Sequence, residues 1–287
     1  MIAEFEAIAT LYTSEVAGAV HALAHLISRQ HAGDENYFHN QVNRYARTVS
    51  RIRELRPNPR RVLDIGSHYL HQSVLLSELG YQVSGIDIEL FTSAAFVQER
   101  AHEFNVQNLA VNLLEKGDFL PGMEGQFDVI VFTEILEHIT FNPVRFWKRV
   151  YELLTPDGII YLSTPNSMRP AAVLRSAANL IRMRGVGLDI GQILGTVTYG
   201  HHWKEYSAWE IRKYFAMLSD DFAVETHWYS TDLHTHAGPK GQLKRLIAVV
   251  PCFRSDIEAL ITRPGTGGFS AVAPRLAMQT RPPPESL

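Results

Sequence analysis

The sequence predicts an α/β fold: a doubly wound, mostly parallel sheet with helices on both faces. Two observations predict it. From Arg61 onward, short apolar runs of strand length alternate with segments of helical periodicity, and Gly or Pro turns separate them. Several of those runs also end on polar residues, as at Asp64, Asp87 and Thr133-Glu134. Strand ends on one edge of an open α/β sheet are where such folds bind ligands.

Bulk composition sets the frame. The 287 residues suit one large domain with additions, or two small domains. Hydrophobic content of 46% against 20% charged residues argues for a folded chain. A net charge of −3 gives no electrostatic footprint for nucleic acid. With Cys252 as the lone cysteine, no internal disulfide can form, which fits a reducing compartment. No apolar run is long enough to span a membrane, and the acidic start M-I-A-E-F-E lacks a basic signal region. A cytoplasmic location is therefore expected.

Residues 1–56 predict a helical extension. Ile8, Leu11, Val16, Val20, Leu23, Leu26 and Ile27 recur at helical spacing. His21 and His25 lie four apart on that helix, but no third ligand accompanies them, so no metal site is predicted. Gly33 breaks the pattern and Asp34 is placed to cap a second helix over 35–55. Tyr37, Phe38, Val42, Tyr45, Val49, Ile52 and Leu55 form its apolar face; Arg44, Arg47, Arg51 and Arg53 read as a solvated basic face. Pro57 and Pro59 end the helix and open the main domain, 57–263.

Within that domain, strands are predicted at 62–65, 81–88, 109–114, 127–132, 159–163, 222–229 and 257–262. Helices are predicted at 70–79, 92–104, 143–154 and 207–217. Thr155-Pro-Asp-Gly158 has turn composition. An insert at 168–206 breaks the alternation with an Arg-flanked apolar helix over 169–184 and a Gly-rich stretch. From Pro264 to the last residue the Gly, Pro, Ser and Thr content predicts a disordered tail.

The candidate site gathers at the strand ends. Gly66 allows a close backbone approach, and Asp87 is placed to accept both hydroxyls of a ribose. For Asp64 and Asp87 the alternative role is helix capping. A dinucleotide site expects G-x-G-x-x-G after strand one, whereas Gly66–His71 reads G-S-H-Y-L-H with one glycine, which argues against a diphosphate ligand.

From Arg60 to about Ile160 the chain resembles class I S-adenosylmethionine-dependent methyltransferases, including ubiquinone-type O-methyltransferases and sugar-modifying relatives. The matching motifs are V-L-D-I-G-S (62–67), V-S-G-I-D (83–87), F-D-V-I-V-F-T-E-I-L-E-H-I (127–139) and L-L-T-P-D-G-I-I-Y-L-S-T-P-N (153–166). The resemblance implies a seven-stranded Rossmann-like sheet with the last strand antiparallel, and S-adenosyl-L-methionine as cofactor. Carried over by residue, Asp64, Gly66, Ser67 and His68 border the methionine part. Asp87 takes the ribose with Ile88 beside the adenine, Asn112 or Leu113 the adenine edge, and Thr133-Glu134 the sulfonium. Asp118 competes with Asn112 for the adenine. One departure stands out: the family pattern D-x-G-x-G-x-G has His68 and Leu70 where its later glycines fall.

The implied activity is methyl transfer to a small-molecule, sugar or lipid-linked acceptor, at oxygen. A non-catalytic, cofactor-binding or interaction protein is the alternative. A hydroxyl acceptor needs a base, for which His138, His201 and His202 are the candidates. The insert reads as a lid over the substrate, or as a membrane-surface contact through 169–184.

Overall fold

The computed structural model describes residues 8, 10–58, 60–113, 118–231, 238–265 and 267–272. Two helices precede the sheet, α1 (Ser14–Gln30) and α2 (Glu35–Leu55). Thr13 caps α1 through its hydroxyl, which accepts from Val16 N at 3.4 Å. The apolar stripe read from the sequence, Val16, Val20, Leu23, Leu26 and Ile27, is buried against the rest of the domain.

The sheet holds β1 (Arg61–Ile65), β2 (Gln82–Asp87), β3 (Gln107–Ala110), β4 (Phe127–Thr133), β5 (Leu154–Pro165), β6 (Ala223–Tyr229) and β7 (Asp256–Thr262). Their order is β3-β2-β1-β4-β5-β7-β6, with β7 antiparallel to both neighbours and the other pairings parallel. The fold class is the one the sequence predicts. Chain order reverses between β1 and β4, and a crevice at such a reversal is the usual ligand site of an open α/β sheet.

The helices around this sheet are α3 (His71–Glu78), α4 (Glu89–Thr92), α5 (Ala95–Glu103), α6 (Val144–Leu153), α7 (Pro170–Ile181), α8 (Ile190–Gly195), α9 (Ala208–Leu218) and α10 (Gly238–Ile247). One apolar cluster packs α1, α2 and α3 on one face of the sheet. The other, with Trp147, Phe146 and Phe215 at its centre, packs α6 and α9 on the opposite face. The Ser207 hydroxyl and Glu210 carboxylate form a reciprocal capping box that starts α9.

Several expectations need correction. Strand three runs over 107–110, starting two residues and ending four residues earlier than predicted; Leu114 of the predicted run lies outside the described residues. The single helix expected over 92–104 is two, α4 and α5. The turn at 155–158 lies within β5 as a bulge: Phe127 pairs with Leu154 and Val129 with Ile159, so the residues between loop out. Asp34 stands at the N-cap of α2 without capping it. Its buried carboxylate instead binds His71 Nε2 at 2.7 Å and Arg100 Nη1 at 2.7 Å, because burial makes a charged partner worth more than a cap. The tail is ordered at its start: Phe269 packs against Tyr151 and Phe222, and Ala271 N donates to Leu218 O at 2.9 Å. Residues 273–287 lie outside the described residues.

The basic face of α2 is the largest reversal. Arg47 binds Glu258 at 2.8 Å and stacks over Tyr229, and Arg51 lies 3.4 Å from the same carboxylate. Tyr161 donates to that Glu258 at 3.0 Å. These arginines therefore clamp α2 to β5 and β7. Periodicity marked them as the polar face, but only the fold sets buried carboxylates opposite them.

Candidate functional site

A cavity of about 680 Å³ opens at the carboxyl ends of β1, β2 and β4. Its floor begins with Gly66, at φ 79°, where a Cβ would lie 2.2 Å from Ile135 Cδ1. Only glycine fits there. Gly66 N and Ser67 N both donate to Ile86 O, tying the loop to β2.

The loop continues with a feature that the missing glycines hid. His68 and Leu70 both hold left-handed backbone, at φ 48° and 62°. The chain keeps glycine-like geometry with side chains present, at about 1–2 kcal/mol of strain per residue. Leu70 inserts fully buried into the core, which offsets that strain.

Asp64 accepts from Ser73 Oγ at 2.6 Å and Gln72 Nε2 at 3.2 Å, and Asp87 accepts from His68 N at 2.8 Å and Ile88 N at 2.7 Å. Neither carboxylate occupies a helix N-cap, since α3 and α4 start after Leu70 and Ile88. The capping alternative is thereby removed. Burial raises both carboxyls, Asp87 against the two backbone donors and Asp64 up to about 6 against its side-chain donors. A folded pKa above the unfolded one stabilises the fold below the ordinary carboxylate pKa, and that contribution is lost as pH rises through about 6. Asp64→Asn is therefore expected to raise the melting temperature of the ligand-free chain at pH 8, by roughly 2–3 kcal/mol of stability, and to leave it unchanged near pH 4. Equal midpoints at pH 8 in a thermal melt would refute the buried-charge account.

At the other end of the cavity stand Glu134, Glu137, His138 and His202. Glu134, at φ 57° just past β4, accepts from Ser163 Oγ at 3.0 Å. Arg44 reaches down from α2 to pair with Glu134 at 3.3 Å. Tyr37, Gln41 and Arg44, at helical spacing on α2, also line the cavity. The sequence reading assigned Arg44 to solvent; the signal that could have placed it was its spacing from Tyr37 and Gln41.

Glu137 is almost fully buried, accepts from Thr164 Oγ1 at 2.8 Å, and is pushed up to about 8 by burial and then by Glu134. The Nδ1 of His138 donates to the His201 carbonyl at 2.9 Å, which leaves Nε2 as the acceptor nitrogen. Burial, with His202 nearby, lowers His138 to about 4, so the ring is neutral. His202 Nδ1 lies 3.4 Å from Glu205, and that contact raises its pKa. No metal was expected, yet Glu137, His138 and His202 each offer a ligand atom within 4.8 Å of the others. A carboxylate with two imidazoles is a donor set that transition metals accept.

Every residue predicted to border the cofactor lines this cavity: Asp64, Gly66, Ser67, His68, Asp87, Ile88, Asn112, Leu113, Thr133 and Glu134. Asp118, the alternative to Asn112, does not line it. Of the three histidines, His138 and His202 line the cavity; His201 is buried outside the lining and contributes its backbone carbonyl. Five lining residues carry buried side-chain atoms without a hydrogen-bond partner: Arg44 Nε, Ser67 Oγ, His68 Nδ1, His71 Nδ1 and Glu137 Oε1. Buried polar atoms are ordinarily satisfied, so this set fits a polar ligand between the two ends.

Comparison with known proteins agrees. A methyltransferase domain family model matches residues 37–217. A ubiquinone biosynthesis O-methyltransferase of Pseudomonas aeruginosa is 31% identical over 109 residues, 37% of this chain and 45% of that protein. The enzyme of the same name from Caulobacter vibrioides is 30% identical over 117 residues, 39% and 44% of the two chains. The matched region thus spans less than half the length of these relatives. The crystal structure of Burkholderia thailandensis 1,6-didemethyltoxoflavin-N1-methyltransferase shares the fold, with a TM-score of 0.52 at 15% identity over 89% of this chain and 92% of that one. With the family model covering more than half of the chain, from β1 to β5 and the whole cavity lining, the protein belongs to the methyltransferase domain family.

Proposed function

We propose that this protein transfers a methyl group from S-adenosyl-L-methionine to an oxygen of a small acceptor. The observation that supports it is one cavity joining a carboxylate suited to a ribose, Asp87, to a buried acid–imidazole cluster, Glu137, His138 and His202. When bound, the cofactor supplies an electrophilic methyl on its sulfonium. The chain's own residues do the rest. Asp87 accepts the ribose hydroxyls while its backbone donors keep it fixed. Thr133 and Glu134, at the end of β4, line the cavity where the methyl must face the acceptor for in-line approach. His138 Nε2 takes the acceptor's proton, and the Glu137 carboxyl, 3.9 Å from that nitrogen, offsets the charge so formed once it is ionised, above about pH 8.

The insert contributes Thr198, Tyr199 and Gly200 to the cavity lining, with the Tyr199 ring against Phe91. No residue of α7 is buried, and Leu174, Ile181, Met183 and Leu194 are well exposed. This exposed apolar surface favours an apolar or lipid-linked acceptor, and it is the surface through which 169–184 would rest on a membrane. No helix among the described residues is long and apolar enough to cross one.

The test is calorimetry with S-adenosylhomocysteine, followed by a methyl-transfer screen over phenols, quinones, sugars and carboxylic acids. Saturable one-to-one binding is expected, with turnover on a hydroxyl acceptor. Absence of heat at millimolar ligand would sink the cofactor assignment, and binding without turnover on any acceptor would favour a non-catalytic role.

A further inference from the structure

Between β6 and β7 the chain carries a second exposed apolar element, separate from the insert. In α10 Gly241 is buried, and so is Ala248 just past its end; seven residues apart, they share one face. At 3.6 residues per turn, Leu243 and Leu246 point away from that face, and they are 58% and 70% exposed. Lys244 and Arg245, also exposed, fall on the flanks between the two faces. Val249, Val250 and Phe253 continue the exposed apolar surface past the helix. No Asp or Glu occurs from residue 233 to residue 255, whereas Lys240, Lys244, Arg245 and Arg254 all do. In a chain of net charge −3, this is a local concentration of positive charge.

The element is fixed at the edge of the sheet where the cavity opens. Asp256, the first residue of β7, pairs with Pro165, the last of β5. Asn166 is buried and donates from Nδ2 to the carbonyls of Cys252 at 2.9 Å and Arg254 at 2.7 Å. Its backbone N–H donates to Ser255 O at 2.8 Å. The insert helix α7 starts at Pro170, so both apolar elements spring from one anchored point. The insert shows the same composition, with Arg169, Arg175, Arg182 and Arg184 against the single acid Asp189 between Asn166 and Lys204. Leucines outermost, with cations set back beside them, is the arrangement of a helix lying in a lipid interface. The apolar side chains reach the acyl boundary while the cations stay level with anionic headgroups. Its repetition in two segments far apart in sequence favours an extended anionic surface over a single matched protein partner. We propose that α10 and the turn Pro251–Phe253 form a docking surface for an anionic lipid bilayer. It adds a second contact to the one read for 169–184, stands on separate residues, and does not depend on the methyl-transfer chemistry.

Cys252, the lone cysteine, is exposed within that turn and takes an environment-sensitive fluorophore without any substitution. The full chain so labelled is titrated with vesicles of phosphatidylcholine alone and with about one-third phosphatidylglycerol added, with co-sedimentation of unlabelled chain alongside. Binding to the anionic vesicles is expected, with a blue shift of the fluorophore, and it should weaken about tenfold at ~0.5 M salt. Leu243→Ser/Leu246→Ser is expected to melt at the unsubstituted temperature, its leucines being exposed, yet to bind about tenfold more weakly. Lys244→Gln/Arg245→Gln is expected to bind anionic vesicles roughly fivefold more weakly. Unchanged binding by both variants, with loss in Leu174→Ser/Ile181→Ser, would confine the contact to the insert and overturn the inference. Equal affinity for neutral and anionic vesicles would overturn it too, as would a lower melting temperature of Leu243→Ser/Leu246→Ser, which marks internal packing. Failure of the unsubstituted chain to sediment with either vesicle would overturn this surface and the membrane contact of the insert together. Cofactor binding, measured separately by calorimetry, would be untouched by that result.

Discussion

Asp87→Ala is expected to weaken S-adenosylhomocysteine binding by about 1.5–3 kcal/mol, the range for hydrogen bonds to a charged group. The structure adds a second consequence. Asp87 accepts from two backbone donors, His68 N and Ile88 N, at the turn that shapes the cavity. Removing the carboxylate leaves both without their acceptor, so the ligand-free melting temperature should fall as well. Calorimetry below that melting temperature separates the two effects. Affinity equal to that of the unsubstituted chain would refute the ribose assignment, whatever happens to stability.

At the other end of the cavity, His138→Ala and Glu137→Gln are expected to lower turnover by about 10²–10⁴-fold while leaving cofactor affinity within a factor of about three. His138 has its tautomer fixed by the His201 carbonyl, so alanine removes a preset acceptor nitrogen. Glu137→Gln is nearly isosteric and keeps an acceptor for Thr164 Oγ1, but cannot ionise to compensate a charged imidazole. Single-turnover kinetics with saturating cofactor checks both variants. Undiminished turnover would show that the acceptor ionises unaided. Loss of turnover on chelation, restored by a divalent cation, would instead assign Glu137, His138 and His202 to metal binding.

Arg44 illustrates how a helix read in isolation misleads. Its helical position is polar, and a polar face on a periodic helix is ordinarily solvated. The extension, however, lies across the mouth of the cavity, where Glu134 faces Arg44, and across the sheet, where Glu258 faces Arg47 and Arg51. The partners are 90 and more residues away in sequence, so nothing local could announce them. The same holds for Glu137 and His202, whose proximity depends on how the insert folds back. Asp34 was legible as a helix start, but its link to Arg100 was not, for that reason.

What the sequence determined by itself was everything that local pattern encodes. Alternating apolar runs and helical periodicity specify the strands and helices, because burial of one face is a property of spacing alone. Motif order specifies which strand ends carry Asp64, Asp87 and Glu134, and all three line the cavity. The tertiary structure decided the orientation of the arginines on α2, the grouping of Glu137, His138 and His202, and the backbone of the loop after Gly66. That loop shows the reason most directly. Sequence records that His68 and Leu70 are not glycines, but φ at each is set by contacts with Asp87, the aromatic rings and the core. Long-range contacts can hold a residue in a conformation that its own side chain disfavours.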